Sequence, residues 1–139
     1  MDKKLILFGA GKIGRSFIGQ IFARSNYEVV FIDVIKPLID ELNKKRCYKV
    51  IFRSGEDQVL LIKNVRGVYL YNEAEVAEEI ASAEIAAVSV ISKQNMVGSS
   101  PIWSCSIRKA LNSSFAIDWP DRLMEQRPSF SLSILLFRK

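Results

Sequence analysis

The apolar positions change rhythm along the chain. Lys4–Phe8, "KLILF", is a short apolar run ending on Gly9, the pattern of a strand buried on both faces. From about Lys12 to Arg24 the rhythm becomes helical. Ile13, Phe17, Ile18, Ile21 and Phe22 recur at mixed spacings of three, four and one and predict a single stripe facing a core. "SNYE" turns the chain, and Glu28–Asp33, "EVVFID", β-branched and aromatic, predicts a second buried strand. Pro37 falls in the first turn of the next helix, where its missing N–H costs little. Leu38, Ile39 and Leu42 give that helix its apolar face, and it ends near Lys45.

The pattern then shifts. "CYKVIFRSGEDQVLLIKNVRGVYLYN" has strand composition with turn signals at Ser54-Gly55 and Arg66-Gly67, and predicts two or three short antiparallel strands. "EAEVAEEIASA", 73–83, predicts a short acidic helix packing on Val76, Ala77 and Ile80, and "EIAAVSV", 84–90, another buried strand. Past about Pro101 the signal weakens. Residues 101–114 suit a helix, 115–128 carry no defensible periodicity, and 129–137 alternate like a strand. The expected fold class is α/β: a mainly parallel sheet with flanking helices and an antiparallel hairpin insertion near 48–71. Lys4–Phe8 should be central, flanked by Glu28–Asp33 and by 84–90, because a βα crevice opens between neighbouring strands.

Composition narrows the function classes. A length of 139 residues fits one domain with one sizeable core, and 49% hydrophobic with 25% charged residues is a globular balance. No apolar run approaches the ~18 residues of a membrane span, and the amino terminus runs into a glycine loop without a secretory cleavage site. A cytoplasmic protein without a membrane partner is the expectation. The net charge of +5 is spread along the chain, and its tightest run, "KKR" at 44–46, complements a helix carbonyl end, so no nucleic acid partner is expected. Cys47 and Cys105 lack the spacing of a zinc site, and no metal is expected. There is no histidine, which removes the commonest general base.

The chemistry sits between the first two strands. Gly9, Gly11 and Gly14 are spaced G-x-G-x-x-G between a strand and a helix. Gly9 permits the tight turn, Gly11 lets backbone approach a pyrophosphate, and Gly14 lets the helix lie against the strand. The N–H groups around Lys12 and Ile13 are unsatisfied donors at a helix start, where the dipole favours negative charge. Asp33 ends the second strand, 19 residues past Gly14, where a carboxylate can accept from both ribose hydroxyls of an adenosine and would repel a 2′-phosphate. The predicted cofactor is therefore NAD in preference to NADP. Arg15 is read either as a phosphate neutraliser or as a solvated helix residue. "SKQN", 92–95, follows the fourth buried strand at the ligand-binding edge, or is an ordinary helix start capped by Ser92. Tyr48, Tyr69 and Tyr71 are read as packing residues of the hairpin.

"FGAGKIGRSFIG", 8–19, resembles the amino-terminal signature of mannitol-1-phosphate 5-dehydrogenase and its relatives among the long-chain polyol dehydrogenases. The Arg after the third glycine and the following "FIG" are more specific than the glycines. The similarity continues through "VVFIDV", "LNKKRCYKV" and the hairpin to "AAVSV", over about residues 3–101. The resemblance implies a Rossmann-type NAD-binding domain over 1–102 and hydride transfer between NAD and a hexitol phosphate. It places Gly9, Ala10, Gly11, Lys12, Ile13, Gly14 and Asp33 around the cofactor. The family usually has a glycine after the fourth strand, where this chain reads "VSVISKQNM". Family members carry their catalytic residues on a further helical domain absent from these 139 residues, so no catalytic residue is assigned. Residues 103–139 leave the family pattern, as a shifted reading frame or a truncation would cause. Two alternatives stay open: a non-enzymatic NAD-sensing module, and a fragment of a fructuronate or tagaturonate reductase.

Overall fold

The computed structural model describes residues 3–90, 105–115 and 133–139. In chain order, β1 (Lys4–Phe8) leads through the glycine turn into a π-helical segment, Gly14–Gly19, continued by α1 (Gln20–Arg24). Then come β2 (Glu28–Asp33), α2 (Lys36–Lys45), β3 (Cys47–Ser54), β4 (Glu56–Lys63), β5 (Val65–Tyr69), α3 (Glu73–Ser82), β6 (Ile85–Val90), α4 (Cys105–Phe115) and β7 (Ser133–Arg138).

The main sheet has the order β5-β2-β1-β6-β7. The first four run parallel, and β7 pairs antiparallel with β6. The expected placement of β1 between β2 and β6 therefore holds. Because both faces are covered, strand residues are apolar without alternation, and Leu5, Ile6, Leu7 and Phe8 are all buried. Leu5, Leu7, Val29 and Phe31 face one side with Ile18, Ile39, Leu42, Val50 and Ile62. Ile6, Phe8, Val30 and Ile32 face the other with Val76, Ile80, Ile107 and Leu111. The first layer is built by the Gly14–Gly19 segment, α2 and the hairpin; the second by α3 and α4.

One segment of the expected hairpin goes elsewhere. β3 and β4 form the antiparallel pair, but Val65–Tyr69 joins the main sheet parallel to β2. Gly67 permits this. A Cβ there would meet Ile39 Cδ1 at 2.7 Å and Cγ2 at 3.2 Å, so glycine lets α2 lie this close without displacing the Ile39 side chain. β5 is an edge strand, and Asn43 of α2 covers part of that edge: its amide donates to the Gly67 carbonyl at 2.9 Å and accepts from the Gly67 N–H at 2.8 Å. These partners are remote in sequence, which is why local composition could not separate β5 from the hairpin.

At the amino ends of the strands, an ion-pair network ties the layers together. Arg66 reaches Glu79 at 2.6 Å and Glu28 at 2.9 Å, and Lys4 reaches Glu79 at 2.9 Å. The side chains of Lys4, Arg66 and Glu79 are at most 18% exposed, so this network is more consequential than the exposed i,i+4 pairs of α2.

No helix among the described residues is long and apolar enough to cross a membrane. Beyond residue 101, the helix expected in 101–114 forms as Cys105–Phe115, and the strand expected in 129–137 forms as Ser133–Arg138.

Candidate functional site

The site begins where β1 stops. Gly9 has φ 105, a conformation open to glycine and strained for other residues, and its N–H donates to the Ile32 carbonyl at 2.9 Å. This turn swings the chain over the carboxyl edge of the sheet. Gly14 follows against it: a Cβ at this position would lie 2.2 Å from the Gly9 carbonyl oxygen. Gly11 is different. A Cβ there would meet nothing within 4 Å, so the turn faces open space at this residue. Two glycines are thus demanded by the fold, whereas the third is left free on the side where a ligand can approach.

The helix after the turn is where the sequence reading needs correction. The stripe Ile13, Phe17, Ile18, Ile21 and Phe22 was expected to face the core as one α-helical surface. Instead Gly14–Gly19 is π-helical, Ile18 is buried, and Phe17 and Ile21 are 53% and 44% exposed. The wider turn adds a residue and rotates the following positions, so Gly14, Ile18, Gly19 and Gln20 face inward. Gly19 stands five residues after Gly14, one π turn on. A Cβ on Gly19 would strike Phe31 Cζ and the Tyr48 hydroxyl at 2.7 Å, and the Gly14 carbonyl oxygen at 2.9 Å.

Tyr48 has more than the packing role expected of it. Its ring meets Phe31 edge-on, with centroids 5.9 Å apart, and its hydroxyl donates to the Arg15 carbonyl at 2.6 Å. Burial pushes its pKa well above the ordinary phenol value, so it stays a neutral donor. The hairpin thereby fixes the segment that follows the glycine turn. Tyr69 and Tyr71 contact each other edge-on, and Tyr71 is exposed.

Asp33 closes β2 beside this turn. Its Oδ2 accepts from the Ala10 N–H at 2.8 Å, and its Oδ1 accepts from the Ile35 N–H at 3.0 Å. A carboxylate has about four lone-pair sites, so two backbone bonds leave capacity for further donors. Asp33 is half-buried, and Val34 beyond it is exposed. Lys36, three residues on, is held by Asp40 at 2.8 Å.

Of the predicted residues, the structure brings Gly9, Ala10, Gly11 and Gly14 together with Asp33. Lys12 is exposed and Ile13 half-buried at the helix start. Arg15 Nε lies 3.5 Å from the Gly11 carbonyl, which keeps its half-buried side chain beside the open turn. "SKQN", 92–95, lies outside the described residues. The arrangement offers helix-start N–H donors, a cation and an acceptor carboxylate around open space, which fits a group with phosphates at one end and a diol at the other. A cleft of about 350 Å³ lined by Arg24, Asn26, Leu61 and Asn64 lies at the opposite, amino edge of the strands and takes no part in this site.

Comparison with known proteins agrees with this geometry. The family profile described as "Mannitol dehydrogenase Rossmann domain" matches residues 3–118. The chain is 44% identical over 88 residues to the mannitol-1-phosphate 5-dehydrogenase of Halalkalibacterium halodurans, an alignment covering 63% of this chain and 24% of that one. It is 42% identical over 92 residues to the enzyme of the same name from Talaromyces marneffei, covering 65% and 24%. For that of Brevibacillus brevis the values are 40% over 83 residues, 60% and 22%. The matched stretch is thus about a quarter of these relatives' length. The chain belongs to the mannitol dehydrogenase family, through its Rossmann domain.

Proposed function

We propose that residues 1–102 bind NAD(H) at the carboxyl edge of the sheet. Gly9, Ala10, Gly11, Lys12, Ile13 and Gly14 would surround the pyrophosphate, and Asp33 would accept from the adenosine ribose. The observation that carries this reading is the Asp33 carboxylate, held by the Ala10 N–H at the mouth of a turn open at Gly11. NAD is favoured over NADP because the Asp33 charge would repel a 2′-phosphate and Lys36 is engaged by Asp40. Titration of the chain with NADH and NADPH tests this. Tighter binding of NADH is expected, and equal affinity would remove the role given to Asp33.

The relatives' name suggests the reaction. Bound NAD supplies a hydride acceptor, and the substrate is a hexitol phosphate. Removing hydride from an alcohol also requires a base for the hydroxyl proton and an oriented carbinol. A base typically contributes ~10²–10⁴-fold. The described residues around the turn supply a cation and backbone donors for phosphate; that the 139 residues by themselves are incomplete as a catalyst is part of this proposal. An assay of NAD reduction with mannitol 1-phosphate tests this. Negligible turnover is expected, and robust turnover by the 139-residue chain would overturn this part of the reading.

A further inference from the structure

Among the described residues, two buried side-chain polar atoms have no hydrogen-bond partner: Gln20 Oε1 and Ser89 Oγ. Ser89 is only 6% exposed, yet it stands in a strand whose other described side chains are apolar. The β1–β6 register pairs Phe8 with Val88, which puts Ser89 level with Gly9, where the glycine turn begins. Strand side chains alternate between faces. Ala87 packs with Leu7, Ala10 and Ile18, and Ser89, two residues on, points to that same face. Its hydroxyl therefore sits at the carboxyl edge, on the side where the chain leaves Gly9 and enters the Gly14–Gly19 segment.

A buried hydroxyl without a partner is unfavourable, because it has given up its bonds to water and gained none in return. An alanine would avoid that loss, as Ala86 and Ala87 of the same strand do. We propose that Ser89 is an additional cofactor-binding residue, whose hydroxyl bonds an oxygen of the bound dinucleotide, at the pyrophosphate or the ribose next to it. The hydroxyl is both donor and acceptor, so it suits a phosphate oxygen or a sugar hydroxyl equally. The inference rests on the dinucleotide reading of the glycine turn. Gln20 carries no parallel argument, because it lies beyond the π segment and away from the sheet edge.

The test is NADH titration by fluorescence on the 139-residue chain and its Ser89→Ala variant, with thermal unfolding of both in the absence of ligand. The expected result is a roughly tenfold loss of NADH affinity. The ligand-free variant should unfold at the same or a higher temperature, because the unpartnered hydroxyl is gone. Ser89→Cys, of similar size and a weaker donor, should fall between the two in affinity. Equal NADH affinity in wild type and Ser89→Ala would overturn the proposal while leaving the dinucleotide site intact. So would a drop in unfolding temperature of the ligand-free variant, since Ser89 would then be structural. Failure of the wild-type chain to bind NADH would overturn the dinucleotide reading, and this proposal with it.

Discussion

The Ala10 N–H donates to Asp33 Oδ2 at 2.8 Å, so the residue that ends β2 also holds the turn that leaves β1. One carboxylate thus serves two tasks. It orders the backbone of the glycine turn and presents remaining lone pairs at the mouth of the site. A strand-end carboxylate can be a turn residue as well as the ribose acceptor expected of Asp33. The Ile35 N–H on Oδ1 shows the turn role directly.

Asp33→Ala should therefore act twice. NADH binding should weaken by about 1–3 kcal/mol, with NADPH less affected. The ligand-free protein should also unfold at a lower temperature, because the Ala10 N–H loses its acceptor. Asp33→Asn, which keeps an acceptor oxygen without the charge, should recover part of the stability and narrow the preference for NADH. Titration and thermal unfolding of the three proteins check this.

The glycines of the turn should separate by function. Gly14→Ala drives a Cβ to 2.2 Å from the Gly9 carbonyl and should destabilise the fold by about 1–3 kcal/mol or more. Gly11→Ala meets nothing and should leave thermal stability unchanged or slightly raised, while NADH affinity falls. Denaturant unfolding beside NADH titration reads both. A destabilised Gly11→Ala would contradict the open space at that residue.

Tyr48→Phe keeps the ring against Phe31 and removes only the hydroxyl that binds the Arg15 carbonyl. A loss of about 0.5–1.5 kcal/mol in denaturant unfolding is expected. Amide hydrogen exchange should quicken in the Gly14–Gly19 segment before it does in β1 or β2, because that segment has lost its tie to the hairpin.

Acid should loosen the amino-edge network. Burial alone would raise the Glu79 pKa, but hydrogen bonds from Arg66 and Lys4 outweigh it and hold the carboxyl below its ordinary 4.5. A group depressed in the folded state adds stability that is fully present above its unfolded pKa and is lost as pH falls through the folded one. The contribution of Glu79 should thus be constant from neutral pH down to about 4.5 and decline below it. Glu79→Gln should lower the unfolding temperature at pH 7 and flatten the acid decline. An unchanged pH profile in that variant would assign the acid loss to other carboxylates.

The elements were legible from local pattern wherever burial is one-dimensional along the chain. β1, β2 and β6 read as buried strands because both faces of a parallel sheet are covered, which leaves continuous apolar runs. α2 read from Ile39 and Leu42 at helical spacing, and the glycine turn from its three residues and the acid that follows. What only the tertiary structure decided depends on partners far apart in sequence. Val65–Tyr69 became a parallel strand because α2 could close over Gly67 and Asn43 could bond its edge. The turn after Gly14 became π-helical where Phe31 and Tyr48, brought from β2 and the hairpin, press on Gly19. That change exposed Phe17 and Ile21 against the expectation of their spacing. Ser89 is an ordinary polar residue in a list of strand residues. Only the β1–β6 register places it beside Gly9, and only packing leaves its hydroxyl buried and unpaired.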